Sequence, residues 1–259
     1  MIELKTPADI DAIAQGGEII GSLFREIEER VVPGATTLQL DEFAEAFIRS
    51  HVGATPAFKG LYGFPASLCT SINEEVVHGI PSDRRVLKEG DILSIDVGVR
   101  RDGWYSDSAR TFPVGEIGAE TAQLLEVTRT ALARAIEVVV VGKRVGDIGH
   151  AIERAVAASG FRIIRDLVGH GVGKSLHEDP QVPNLGKPGT GPLLQEGMVL
   201  AIEPMIAVGT HRVKTLSDRW TVVTTDGSAS AHFEHTVAVT RDGPRVLTAD
   251  RAVVGTKQE

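Results

Sequence analysis

Glu89-Gly-Asp-Ile-Leu-Ser-Ile-Asp96 returns later in the chain as Glu196-Gly-Met-Val-Leu-Ala-Ile-Glu203. Each copy is an apolar strand that ends in an acid. Upstream of each lies a second echo, His78-Gly-Ile-Pro81 and His177-Glu-Asp-Pro180. A polar group repeated at the end of an apolar strand predicts two half-structures facing each other across one site. Neither half would own a complete site, so a single domain over 1–259 is expected. Its halves would cover 1–115 and 116–250, followed by a polar tail at 250–259.

Working outward, each half carries two helices before its strands. Thr6-Pro7 followed by Asp9 is a helix start: a capping hydroxyl, proline at the first position and acid in the first turn. Ile13, Ile20, Leu23 and Ile27 keep a helical spacing until Val32-Pro33-Gly34 stops it. A second helix is expected from Leu38 to Ser50 with Phe43, Phe47 and Ile48 on its buried face. The spacing predicts another pair over 120–140 and 146–159, ending at Gly142 and Gly160. Strand-like runs at 92–99 and 104–112 flank Arg101-Asp102-Gly103, a hairpin signal. Further strands are expected at 198–207, 220–225 and 229–239, with Asp226-Gly227 as a second turn. An αα-ββ plan used twice predicts an α+β fold with helices on an antiparallel-rich sheet.

Bulk properties narrow the function. A hydrophobic content of 42% and a mean hydropathy of +0.02 fit a soluble chain with a substantial core. No apolar run approaches the ~20 residues that span a bilayer, so no membrane role is expected. The start, Met1-Ile-Glu-Leu-Lys-Thr-Pro7, has no charged-then-apolar signal pattern, and a cytoplasmic location is expected. A net charge of −8 argues against a groove that neutralises nucleic-acid phosphates. Cys69 is the only cysteine, which excludes an intramolecular disulfide and a Cys-based zinc site.

The acids are more informative. With Asp102-Gly103 as a two-residue turn, Asp96 lies opposite Ala109, and Asp107 shares its face on the diagonal. Diagonal neighbours are ~7–8 Å apart, from which two carboxylates can reach a pair of cations ~3.5–4 Å apart. Asp96 sits among Ile92, Leu93, Ile95 and Val97, so it is buried, and a buried acid calls for a metal or an ion pair. Glu203 repeats the situation with no basic residue nearby in sequence. Glu234 opens an alternating apolar strand in which His232 shares its face. His170, between Gly169 and Gly171, is either an aimed ligand or a loop histidine bonded in the core. Gly169-His-Gly-Val-Gly-Lys-Ser175 imitates a phosphate-binding loop, but Val168 stands where that loop needs glycine and no helix follows.

Together these residues resemble a type I methionine aminopeptidase of the bacterial kind, the M24 metallopeptidases. The matching stretches are Ser71-Ile-Asn-Glu-Glu-Val-Val-His78-Gly-Ile-Pro, Gly90-Asp-Ile-Leu-Ser-Ile-Asp96-Val, Asp102-Gly-Trp-Tyr-Ser-Asp107-Ser, Gly169-His170-Gly-Val-Gly, His177-Glu-Asp-Pro, Ile202-Glu203-Pro and Glu234-His-Thr. The resemblance implies the "pita-bread" fold, two pseudo-symmetric αα-ββ halves forming a curved sheet covered by helices. It implies that Asp96, Asp107, His170, Glu203 and Glu234 hold two divalent ions, drawn from Co, Mn, Fe or Zn. It also implies that His78 and His177 hold the scissile amide, with Glu203 as the general base. The methionine pocket would be Phe58, Leu61, Tyr62, Phe64, Cys69, Leu176 and Trp220, together with His78 and His177. Leu61 and Leu176 depart from the family's aromatic residues there. The implied activity is removal of N-terminal methionine before a small second residue. The implied partners are nascent polypeptide N-termini, at the ribosome, with a monomeric enzyme. The alternatives are an X-Pro peptidase of the same fold, disfavoured by the short stretch before His78, and a non-catalytic binding protein, disfavoured by the complete ligand set. The spacings from His170 to Glu203 and from Glu203 to Glu234 leave no room for the insertion of type II relatives.

Overall fold

Thr6 opens the first helix with a reciprocal cap: its hydroxyl accepts from the Asp9 amide, and the Asp9 carboxyl accepts from the Thr6 amide. In the computed structural model, which describes residues 1–250, this helix is α1, Pro7–Glu28. It buries Ile13, Ile20, Leu23 and Ile27 as their spacing predicts. Thr36 and Gln39 cap α2, Thr37–Arg49, in the same way. Of its expected buried face, Ile48 is buried as predicted, but Leu40 and Ala44 join it there in place of Phe43 and Phe47. Phe43 and Phe47 lie one residue, ~100°, round the helix and stay half-buried. Their rings pack at 6.0 Å, with the Arg30 guanidinium 3.9 Å above Phe43. The second pair is α3, Ala119–Glu137, and α4, Val145–Val156.

The first half supplies strands β1, Ala54–Pro56; β2, Leu68–Ile72; β3, Glu75–Val77; β4, Ile92–Arg101; and β5, Trp104–Pro113. The second supplies β6, Arg162–Ile163; β7, Val168–Gly171; β8, Glu178–Pro183; β9, Val199–Ile202; β10, Met205–Ala207; β11, Val213–Thr215; β12, Val222–Thr224; β13, Ser230–His232; β14, His235–Thr240; and β15, Gly243–Val246. Every pairing among the described residues is antiparallel. β4 carries β5 on one side and both β1 and β2 on the other. The larger sheet of the second half runs β15-β14-β9-β7-β8. α1 and α2 cover the first sheet through Leu23, Phe24, Ile27, Leu40, Ile95 and Phe112. α3 and α4 cover the second through Leu132, Ile148, Leu200 and Val237.

Two expected strands prove to be interrupted. The run at 198–207 breaks at Glu203-Pro204, where proline removes a ladder donor. The run at 229–239 breaks at Phe233-Glu234, so period-two alternation does not carry from His232 to Glu234. After each break the chain pairs in a different sheet, β10 and β13 with each other, β9 and β14 with each other. The Asp226-Gly227 turn forms, but its flanking strands also join different sheets. Of the expected tail at 250–259, only Asp250 is described, paired with Arg25; the rest lies outside the described residues.

The halves are joined by buried hydroxyls. Thr236 Oγ1 accepts from the Asp107 amide at 3.0 Å and donates to the Asp107 carbonyl at 2.7 Å. Ser108 Oγ donates to the Glu234 carbonyl at 2.6 Å. Thr111 Oγ1 accepts from the His232 amide and donates to its carbonyl, both at 2.9 Å. With that proton committed, Ser94 Oγ is the donor in its 2.8 Å bond to Thr111. β5 is thus fastened to the 232–236 stretch, and the acids of both halves are held along this line.

Candidate metal centre

Asp102 and Gly103 have φ values of +49° and +86°, the left-handed pair that a two-residue hairpin turn requires. That turn sets Arg101 opposite Trp104, Asp96 opposite Ala109 and Asp107 opposite Gly98. The Asp96 and Asp107 side chains line the same cavity. Glu203 and Glu234 lie in the two strand breaks and line the same cavity as Asp96 and Asp107. His170 comes from β7, in register with Ala201 two residues before Glu203. A Cβ on Gly169 would strike the Ala201 carbonyl, and one on Gly171 the Asp179 carbonyl. These glycines are therefore required by close backbone approach.

The histidine tautomer follows from its neighbours. His170 Nδ1 lies 2.9 Å from the Gly171 carbonyl, which can only accept, so the ring proton is there and the Nε2 lone pair faces the acids. Nε2 is 3.7 Å from Asp107 Oδ2 and 3.8 Å from Glu203 Oε1, too far for direct bonds. Asp96 Oδ1, Asp107 Oδ1 and Glu234 Oε1 are buried with no hydrogen-bond partner. Lone pairs that converge without a proton donor among them fit a cation. One ligand atom each from Asp107, His170 and Glu234 lies within 4.8 Å of the others. Oxygen-rich donors with one imidazole suit first-row divalent ions.

Without cations the acids oppose one another. Burial pushes Asp96 up to about 7. Burial, followed by the charges of Asp96 and Glu203, pushes Asp107 well above the carboxylate range. Glu203 and Glu234 rise for the same reasons, burial first and neighbouring acids second. Burial and the nearby His177 take His170 down to about 4, so its imidazole is neutral at pH 7.

These acids and His170 line one cavity of about 690 Å³ together with His78 and His177. The His177 ring lies 4.4 Å edge-on from His170, and Tyr62 stacks on it at 5.8 Å. His78 has φ +61°, a strained conformation for a side-chain-bearing residue. Burial lowers the pKa of both histidines, leaving neutral rings with one N–H to donate. One side of the remaining wall is apolar, formed by Phe58, Leu61, Phe64, Cys69, Leu176 and Trp220, with Trp220 edge-on to Phe64 at 5.1 Å and to His78 at 6.4 Å, while Glu178 and Asp179 also line the cavity. Tyr62 is 73% exposed at the mouth, in a left-handed turn between Gly60 and Gly63. Met205 and Gln181 also line the cavity and were not anticipated; their places follow from the β9–β10 break and from β8. His232, fully buried, has its Nε2 3.6 Å from Glu203 Oε2. The sequence signal for it was its position two residues before Glu234.

Residues 11–241 match the model of metallopeptidase family M24. The chain is 53% identical over 248 residues to the methionine aminopeptidase of Clostridium acetobutylicum, covering 96% of this chain and 99% of that one. The crystal structure of methionine aminopeptidase from Thermotoga maritima is similar with a TM-score of 0.94 and 46% identity, over 96% of this chain and 100% of that one. A more distant neighbour, the prolidase from Pyrococcus horikoshii, has a TM-score of 0.77 at 23% identity. Only 63% of that chain is covered, and the likeness is one of fold.

Proposed function

The chain belongs to the M24 metallopeptidases, and within them to the methionine aminopeptidases of the pita-bread fold, and on that premise we propose how its residues divide the work. It removes N-terminal methionine from polypeptides. Asp96, Asp107, His170, Glu203 and Glu234 hold two divalent cations, with Co, Mn, Fe and Zn all compatible with these donors. The observation that carries this reading is the set of buried acid oxygens without protein partners beside the His170 lone pair.

When bound, such cations supply Lewis acidity and make water acidic enough to deliver a nucleophile near neutral pH. The side chains do the rest. Glu203 takes a proton from the attacking water and returns it to the departing amine. His78 and His177 donate their N–H groups to the scissile amide and to the oxyanion that develops from it. The apolar wall of Phe58, Leu61, Phe64, Cys69, Leu176 and Trp220 takes the methionine side chain, whose unbranched thioether fits an irregular slot. Leu61 and Leu176 make that slot roomier than an all-aromatic one. Tyr62 stands where the second residue would emerge, and a small second residue passes it best. The substrates are nascent N-termini in the cytoplasm, met at the ribosome, and the enzyme works as a monomer. No helix among the described residues is long and apolar enough to cross a membrane.

Metal content and hydrolysis measured on one sample test the reading. Two ions per chain with cleavage of Met-Gly peptides is the expected result. Cleavage of X-Pro peptides in preference, or hydrolysis by metal-free protein, would overturn it.

A further inference from the structure

We infer that His232 is a positioning residue for Glu203: it donates to the Oε2 oxygen and so fixes how that carboxyl presents Oε1 to the cation ligands. This rests on the reading of Glu203 as the proton carrier. His232 is 1% exposed, and neither ring nitrogen has a hydrogen-bond partner. Its Nε2 lies 3.6 Å from Glu203 Oε2. Oxygen Oε1 of the same carboxyl lies 3.8 Å from His170 Nε2, so the two oxygens face two imidazoles.

Those imidazoles are not equivalent. The His170 proton is committed to the Gly171 carbonyl, so His170 offers Glu203 only a lone pair. His232 has no competing acceptor, and a neutral imidazole carries one N–H. With that proton on Nε2, it points at Oε2. The separation is slightly beyond the ~2.7–3.2 Å of a hydrogen bond, and rotation about the soft terminal torsion of glutamate closes it. The His232 main chain cannot drift, because Thr111 bonds both its amide and its carbonyl and Met205 pairs with it across β10–β13. The strand breaks thus bring a fixed donor against one face of a mobile acid. With Oε2 accepting from His232, the carboxyl is held in one orientation, with Oε1 turned to the side of the cation ligands.

The test compares His232→Gln, which keeps an N–H donor, with His232→Leu and His232→Met, which keep bulk without one. The expected result is a kcat lower by about ten- to a hundredfold in the Leu and Met variants, the size of one hydrogen bond to a charged group. KM, the melting temperature of the metal-free protein and the calorimetric Mn²⁺ affinity should hold within about threefold or a few degrees, and His232→Gln should recover most of kcat. Adding His232→Leu to Glu203→Gln should have no further effect if His232 acts through Glu203. Equal losses in Gln and Leu, or losses in Mn²⁺ affinity in place of kcat, would overturn the inference. If Glu203→Gln itself keeps its activity, the role of Glu203 falls first. If Glu203→Gln is inactive while His232→Leu matches the parent, only the role of His232 falls.

Discussion

Asp107 and His177 line one cavity, and the roles proposed for them differ, charge for the first and hydrogen bonding for the second. His177 lies against His170 but contributes no donor to the acid cluster, so its loss should leave the cations in place. His177→Ala is expected to lower kcat about a hundred- to a thousandfold, as for removal of one oxyanion donor, with metal content unchanged. Steady-state kinetics and metal analysis of the same preparation check this. At this scale much of the candidate site was legible. Asp96 and Asp107 could be placed because a two-residue turn fixes register, and register fixes which side chains share a face. The sequence sets His232 beside Glu234 only through an unbroken strand and gives no signal for Met205, because what brings both in is a break in the strand rather than its period.

Strands carry a periodic signal only while they continue. The hairpin of β4 and β5 continues, and the expected pairing of Arg101 with Trp104 is the observed one. The runs through Glu203 and Glu234 stop at the acid itself, and a pattern of alternating residues has no term for that. Helix ends were readable from their caps, whereas on α2 only Ile48 of the expected face is fully buried. Aromatic residues beside the apolar stripe imitate it until Arg30 and the half-exposed rings are seen. At the level of β7, the glycines around His170 are predicted to be irreplaceable. Gly169→Ala would drive a methyl into the Ala201 carbonyl, and neither backbone can yield cheaply. The expected outcome is a loss of about 1–3 kcal/mol in stability with weakened metal binding, since β9 leads directly to Glu203. Calorimetric titration with Mn²⁺ and a thermal melt check both parts.

Across the whole molecule, the seam and the acid cluster decide stability together. Thr236→Val keeps shape but removes both bonds to Asp107, leaving a buried amide and carbonyl unpaired. A cost of about 1–3 kcal/mol for each unpaired group is expected, read as a lower urea midpoint at unchanged slope. The metal-free protein should also show an unusual pH dependence. Asp96, Asp107, Glu203 and Glu234 bind protons more tightly folded than unfolded. Their contribution is complete below the unfolded carboxyl range and is lost as pH rises through the folded values, about 7 for Asp96. His170, His232 and His235, lowered to about 4, about 3 and about 4, act in the opposite sense. Their contribution is complete above ~6.5 and is lost only on acidification. Above about pH 6.5 the histidine contribution is complete and the four acids dominate the slope, so metal-free protein should melt lower at the higher pH. Differential scanning calorimetry with and without Mn²⁺ checks this, and the loaded protein should lack the slope.

The chain has two tryptophans, and the fold sends them to different environments. Trp104 lies under the Lys174 ammonium, 3.6 Å away, while Trp220 forms part of the cavity wall between Phe64 and His78. Replacing Trp104 with phenylalanine would leave a single indole, and its emission would become an optical gauge of what fills the cavity. Occupancy could then be followed in real time during turnover, without a labelled substrate.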